Sequence, residues 1–156
     1  MASNHIIIDE EIFRDLQKFY GKIFNLTPLA AKIYAYLIFD FEKKGVTFED
    51  LIETFSVGKS SVSENINLLL KQNLIRNSEL YNERKRHFII NEEFVKIRFL
   101  EIVERMETEI KILDNLYTFR NSRDEKLNEK FIIYKSLLKK NIENIQDSLR
   151  KLYNEE

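Results

Sequence analysis

The chain has 156 residues, 44% of them hydrophobic and 33% charged, enough for one domain or a small domain with helical extensions. A net charge of −1 excludes a bulk-basic nucleic-acid binder and leaves room for a locally basic one. Three Gly, one Pro and no Cys point to long helices and exclude disulfides, thiolate metal sites and Cys nucleophiles.

Two His are present, His5 and His87, far apart in sequence, so neither a metal nor a cofactor is expected. No apolar run approaches the ~20 residues that span a bilayer, and the start lacks the basic and apolar regions of a signal peptide. A soluble, cytoplasmic chain with no membrane partner is expected.

Asp9 precedes the helical pattern Ile12, Phe13, Leu16, Phe19, Tyr20, Ile23 and Phe24. Spacings of three and four set these on one broad aromatic face, which must pack within the chain or on a second copy. Thr27-Pro28 starts the next helix, because Thr caps free N–H groups and Pro suits the first helical position. Ala30, Ile33, Tyr34, Leu37 and Ile38 carry it to about Glu42, and Gly45 suits its exit. Thr47 and Asp50 form a capping-box variant for a short helix whose buried side is Leu51, Ile52 and Phe55. Ser56-Val57-Gly58 reads as a turn, and Lys59 to Gln72 as the following helix. Asn73 suits its exit. Leu74 to Arg76 form a brief strand, Tyr81 to Lys85 a hairpin tip, and His87 to Ile90 the returning strand.

Asn91, Glu92 and Glu93 start a long helix to about Phe119 with the ladder Phe99, Val103, Met106, Ile110, Leu113 and Tyr117. Asn121-Ser122 breaks it, and a capping box from Ser122 to Glu125 opens the last helix. The ladder there is Leu127, Phe131, Tyr134, Leu138, Ile142, Ile145, Leu149 and Leu152. Both ladders approximate the heptad pattern of packed helices.

From Val46 to Arg86 the order helix, turn, helix, charged hairpin describes a winged helix-turn-helix, whose second helix enters the major groove of DNA. The expected fold is mainly α with a small β-hairpin wing, a winged helix-turn-helix flanked by N- and C-terminal helices. In the second helix Val62, Ile66, Leu69 and Leu70 form the core stripe. Lys59, Ser60, Ser61, Ser63, Glu64, Asn65 and Asn67 are assigned to DNA. Small hydroxyls permit close approach, Asn can pair with adenine, and the helix start suits a phosphate. A merely solvated face would more often use Glu, Lys and Gln. Between Ser56 and Ile90 stand six basic and three acidic residues. Arg84, Lys85 and Arg86 at the tip are the wing candidates for phosphates or a minor groove. Arg76 either orients the wing through Glu79 or Glu83 or binds phosphate itself. His87 is expected to pack on the hairpin.

The text FEDLIETFSVGKSSVSENINLLLKQNLI, followed by NERKRHFII, resembles the MarR family of bacterial regulators, and in particular its GbsR-like branch. Arg84 and Lys85 fall on that branch's basic wing positions and Phe88 on an aromatic one; the Thr27-Pro28 helix and the long helix after the wing also fit. Glu64 stands where the family often has Arg, Asn82-Glu83 replace Gly-Asp, and Gly58 replaces a capping Ser. The resemblance implies a homodimeric repressor on a near-palindromic double-stranded operator, with residues 1–25 and 92–156 dimerising and 26–91 binding DNA. It also implies a small-molecule effector, choline-like or another cationic or aromatic ligand, in a cleft lined by Tyr20, Phe24, Tyr34, Tyr36, Phe94 and Phe99. The competing expectation is a winged-helix module that docks a protein and not DNA. With no nucleophile motif, Gly-rich phosphate loop or metal cluster in the text, an enzyme is not expected.

Overall fold

A helix that is apolar on every side needs neighbours on every side. Helix α2 (Pro28–Ile38) comes close to this: Ala30, Ala31, Ile33, Tyr34, Ala35, Tyr36 and Leu37 are all buried, and between them Lys32 alone is exposed. The computed structural model describes residues 5–81, 84–121 and 123–154, in two units, Met1–Asn91 and Glu92–Glu156. In the first unit α2 is covered by α1 (Glu10–Ile23), by α4 (Lys59–Lys71) and by strand β3 (His87–Ile90). Val46, Leu51, Val62, Ile66, Leu69, Leu74 and Phe88 are fully buried beside it.

Local signals set the boundaries. Asp9 accepts from the Ile12 N–H at 2.9 Å and starts α1. Thr27 accepts from the Ala30 N–H at 3.2 Å and starts α2. At α3 (Phe48–Phe55) the expected capping box is complete. The Asp50 N–H donates to Thr47 Oγ1 at 3.1 Å, and the Thr47 N–H donates to Asp50 Oδ2 at 3.0 Å. Ser56, left-handed at φ 50°, then turns the chain toward α4.

Helix α2 ends at Ile38, short of the Glu42 read from the sequence. Asp40 is the reason. Its buried carboxylate accepts from the Lys44 N–H at 3.2 Å and the Gly45 N–H at 2.8 Å, and His5 Nε2 lies 3.0 Å away. The carboxylate thus rewards a tight turn over further helix. The sheet also has a strand that the sequence did not suggest, β1 (Val46–Thr47). It pairs antiparallel with β3, Val46 opposite Phe88. On the other side β3 pairs with β2 (Ile75–Asn77), Ile75 opposite Ile90, giving the order β1-β3-β2. Strand β2 begins a residue late because the Leu74 N–H still donates to Leu69 O, closing the end of α4. Three helices and this hairpin sheet make a winged helix-turn-helix.

The second unit is a pair of helices, α5 (Glu93–Arg120) and α6 (Glu125–Leu152). They run antiparallel. Tyr153 Oη donates to Glu92 O at 2.6 Å at one end, and the Tyr117 and Phe131 rings stack at 4.5 Å at the other. Val103, Leu138, Ile142 and Leu149 are its buried residues. Asp124 caps α6, accepting from the Lys126 and Leu127 N–H groups. Ser122, to which the sequence gave that role, lies outside the described residues. Asn91 does not cap α5; it is buried in the first unit, where its Nδ2 donates to Asn73 O at 2.9 Å. Among the described residues no helix is long and apolar enough to cross a membrane, and no cluster could hold a metal ion.

Gly45 is the one glycine with a positive φ, +87°, and a Cβ there would lie 2.7 Å from His87 Cβ. Both the backbone and the space are denied to a larger residue. Gly45→Ala is expected to destabilise the chain by about 1–3 kcal/mol, read as a lower denaturant midpoint with unchanged slope.

Candidate nucleic-acid interface

The rotation of α4 is set by what it must bury. Val62, Ile66 and Leu69 are fully buried and point at α2 and α3. That leaves Lys59, Ser60, Ser61, Ser63, Glu64 and Asn67 exposed on the other side. Six of the seven residues assigned to DNA in this helix therefore share the outer face. Leu70, read as core, is only half-buried.

Asn65 is the exception. It is buried, at 8% exposure, and faces the protein interior. Its Oδ1 accepts a short hydrogen bond from Thr27 Oγ1, and its Nδ2 donates to Ser61 O at 2.6 Å. Both ends of the amide are engaged within the unit, and its burial turns it away from the exposed face of the helix. The side chain instead ties the start of α2 to the middle of α4. At about 100° per residue, position 65 falls about 40° beyond Leu69 on the helical wheel, at the edge of the core stripe, so periodicity alone left its side open.

The start of α4 is open. Its cap residue is Gly58, which offers no side-chain hydrogen bond, and a Cβ at Gly58 would meet nothing within 4 Å. The first N–H groups of the helix therefore carry their partial positive charge toward whatever approaches the exposed serines.

The wing residues Arg84, Lys85 and Arg86 are exposed, while Asn82 and Glu83 lie outside the described residues. The Arg86 guanidinium sits 5.0 Å above the centre of the Phe88 ring. Lys85 Nζ lies 3.6 Å from Glu49 Oε2 on α3. The wing is fastened at its root. Tyr81 stacks on His87 at 3.9 Å and donates its hydroxyl proton to Lys44 O at 2.7 Å. The His87 N–H donates to Asn77 Oδ1 at 2.9 Å, and its ring Nδ1 lies 3.2 Å from Lys85 O. His87 thus packs on the hairpin, as expected. Arg76, half-buried, reaches the Asn77 carbonyl at 3.4 Å. Sequence reasoning missed the parts of Tyr81 and Glu49, since neither spacing nor charge pattern relates residues so far apart in the chain.

Of the six aromatics assigned to an effector cleft, four lie in the first unit and two in the second. Tyr20, Phe24 and Tyr34 do meet: Tyr20 stacks on Phe24 at 5.4 Å and meets Tyr34 edge-on at 5.2 Å. Phe24 meets Tyr34 at 6.1 Å, so the three rings pack on one another. Tyr36 is on the other side of α2, edge-on to Phe55 of α3 at 5.6 Å. Phe94 and Phe99 belong to α5 in the second unit. There Phe99 lines a groove of about 260 Å³ between α5 and α6, with Val95, Ile145 and Leu152.

No family model matches the chain, and no curated protein matches it. Among solved structures it is similar to one described as a transcriptional regulator. The identity is 14% and the TM-score 0.54, over 93% of this chain and 97% of that one. It is also similar to MepR, a transcription regulator of the Staphylococcus aureus multidrug efflux pump MepA. There the identity is 19% and the TM-score 0.42, over 90% of this chain and 91% of that one. The first likeness shows a shared fold.

Two substitutions check the placement of α4. Asn65→Ala removes one hydrogen bond each from Thr27 Oγ1 and Ser61 O, which keep the Ala30 N–H and the helical N–H of residue 65, and is expected to cost about 0.5–1.5 kcal/mol of stability. Gly58→Ser supplies the missing cap in open space and is expected to stabilise by a few tenths of a kcal/mol. Thermal melting of both variants reads the opposite signs.

Proposed function

We propose that the chain is a homodimeric, sequence-specific DNA-binding regulator of transcription, acting as a repressor, of the MarR type and its GbsR-like branch. One observation carries the reading: within a single unit, the polar outer face of α4, its uncapped start and the cationic wing are presented together. Ser60, Ser61, Ser63 and Asn67 are short enough to let the helix backbone approach base edges. Arg84, Lys85 and Arg86 supply the phosphate contacts that make up most of the affinity of such proteins. The structural neighbour described as a transcriptional regulator, which shares the fold, supports the same reading.

The dimer is inferred from apolar surface that has no cover within its own unit. On α1, Ile12, Phe19 and Ile23 are about half exposed, and on α5 Phe119 is 88% exposed. Ile132 and Ile133 on α6 are each 62% exposed. Patches of this kind in a small protein mark an interface. A second copy related by a two-fold axis would bring two recognition helices to half-sites about one DNA turn apart. Such a dimer blocks polymerase by occupancy alone. On the same reading a cationic effector would have to enter the Tyr20, Phe24 and Tyr34 cluster, whose ring faces suit a quaternary ammonium. It would act by favouring one spacing of the two helices over another.

Arg84→Ala is expected to weaken binding to unrelated duplexes by a common factor and to lower the salt slope by about 0.9. Ser61→Ala is expected to relax sequence preference while leaving the slope unchanged. Both are read by fluorescence anisotropy over a salt series, with sedimentation confirming two copies per particle. A protein that stays monomeric, or binds no duplex at low salt, overturns the proposal and leaves the protein-docking module in its place.

A further inference from the structure

Glu49, the second residue of α3, stands between the two cationic elements of the surface. Its Oε2 lies 3.6 Å from Lys85 Nζ on the wing. The Lys59 ammonium at the start of α4 acts on the same carboxylate. The carboxyl is held below the usual range by its own backbone N–H first, then by Lys85 and Lys59, so it is ionised at neutral pH. The side chains are 51% exposed for Lys85 and 63% for Glu49. A pair so open to water is weak enough for a phosphate to displace.

We propose that Glu49 is a built-in competitor for DNA phosphate, occupying Lys85 in the free protein and surrendering it when a duplex binds. The inference rests on the DNA-binding reading above and names a residue that tunes that same surface. Binding to arbitrary sequence consists almost wholly of phosphate contacts, so Glu49 weakens it most. Contacts from α4 to base edges are not taxed, and the ratio of specific to non-specific binding rises. The displaced carboxylate takes up a cation from solution, which offsets one of the cations that the DNA releases.

The test compares wild type, Glu49→Gln and Glu107→Gln on a mixed-sequence duplex of about 30 base pairs, titrated from about 50 to 200 mM salt. Glu107 is exposed on α5, so its substitution removes the same charge from the second unit. Glu49→Gln is expected to tighten binding by roughly two- to fivefold. It should also steepen the salt slope by up to about 0.9. Glu107→Gln should leave the slope as it is. With Lys85→Gln already present, Glu49→Gln should lose most of its effect. If wild type binds and Glu49→Gln changes neither affinity nor slope, this inference alone falls. An equal gain from Glu107→Gln also overturns it, as an effect of bulk charge. Wild type that ignores the duplex at the lowest salt removes the DNA-binding reading, and this inference with it.

Discussion

The first unit is organised by the need to cover α2. A helix buried from Ala30 to Leu37 at every position but Lys32 cannot lie open at a surface, so α1, α4 and β3 each take one of its sides. That requirement, and not the propensity of α4, decides which way α4 faces. Once Val62, Ile66 and Leu69 turn inward, Ser60, Ser61, Ser63 and Glu64 must turn outward. Asn65 sharpens this by hydrogen bonding both to Thr27 and back to its own helix. A polar residue in the core stripe costs stability unless both ends are paired, and in return it permits only one rotation of the helix.

The electrostatics follow the same logic. A chain with a net charge of −1 has no general attraction for a polyanion. It can only concentrate positive charge locally and hold it still. The wing does so with three consecutive basic residues, a ring stack at its root and a hydroxyl bond to the turn after α2. That turn is itself fixed by the buried Asp40 carboxylate. The path from Asp40 through Lys44 and Tyr81 to His87 thus connects the interior of the first unit to the base of the wing. Glu49 moderates the charge so held.

Much of this architecture was legible in the sequence because it is written in local signals. The Thr27-Pro28 start and the Thr47/Asp50 box act over three or four residues, and both appear where the spacing put them. The apolar stripe of α4 and the packing of His87 on the hairpin were equally readable. Longer-range facts were not. The end of α2 depends on Asp40 reaching forward to Gly45, which competes with a helical pattern that otherwise continues. Strand β1 is two residues long and exists because Phe88 and His87 lie opposite. Helix geometry separates Tyr34 from Tyr36, and Phe94 and Phe99 lie in the second unit. Asn65 was placed outside because its residue type suggested adenine, and its angle on the wheel, at the edge of the core stripe, did not decide against that.

The central claim is that one face of α4 and the wing meet DNA while Asn65 stays inside. Backbone and side-chain amide NMR during titration with a short duplex tests it most directly. Shifts should concentrate at Lys59 to Glu64, at Asn67 and at Arg84 to Arg86, with the Asn65 side-chain amide persisting as a protected, hydrogen-bonded signal. Perturbations confined to α5 and α6, or an Asn65 amide that changes in step with duplex while Ser60 and Ser61 do not, would contradict the account.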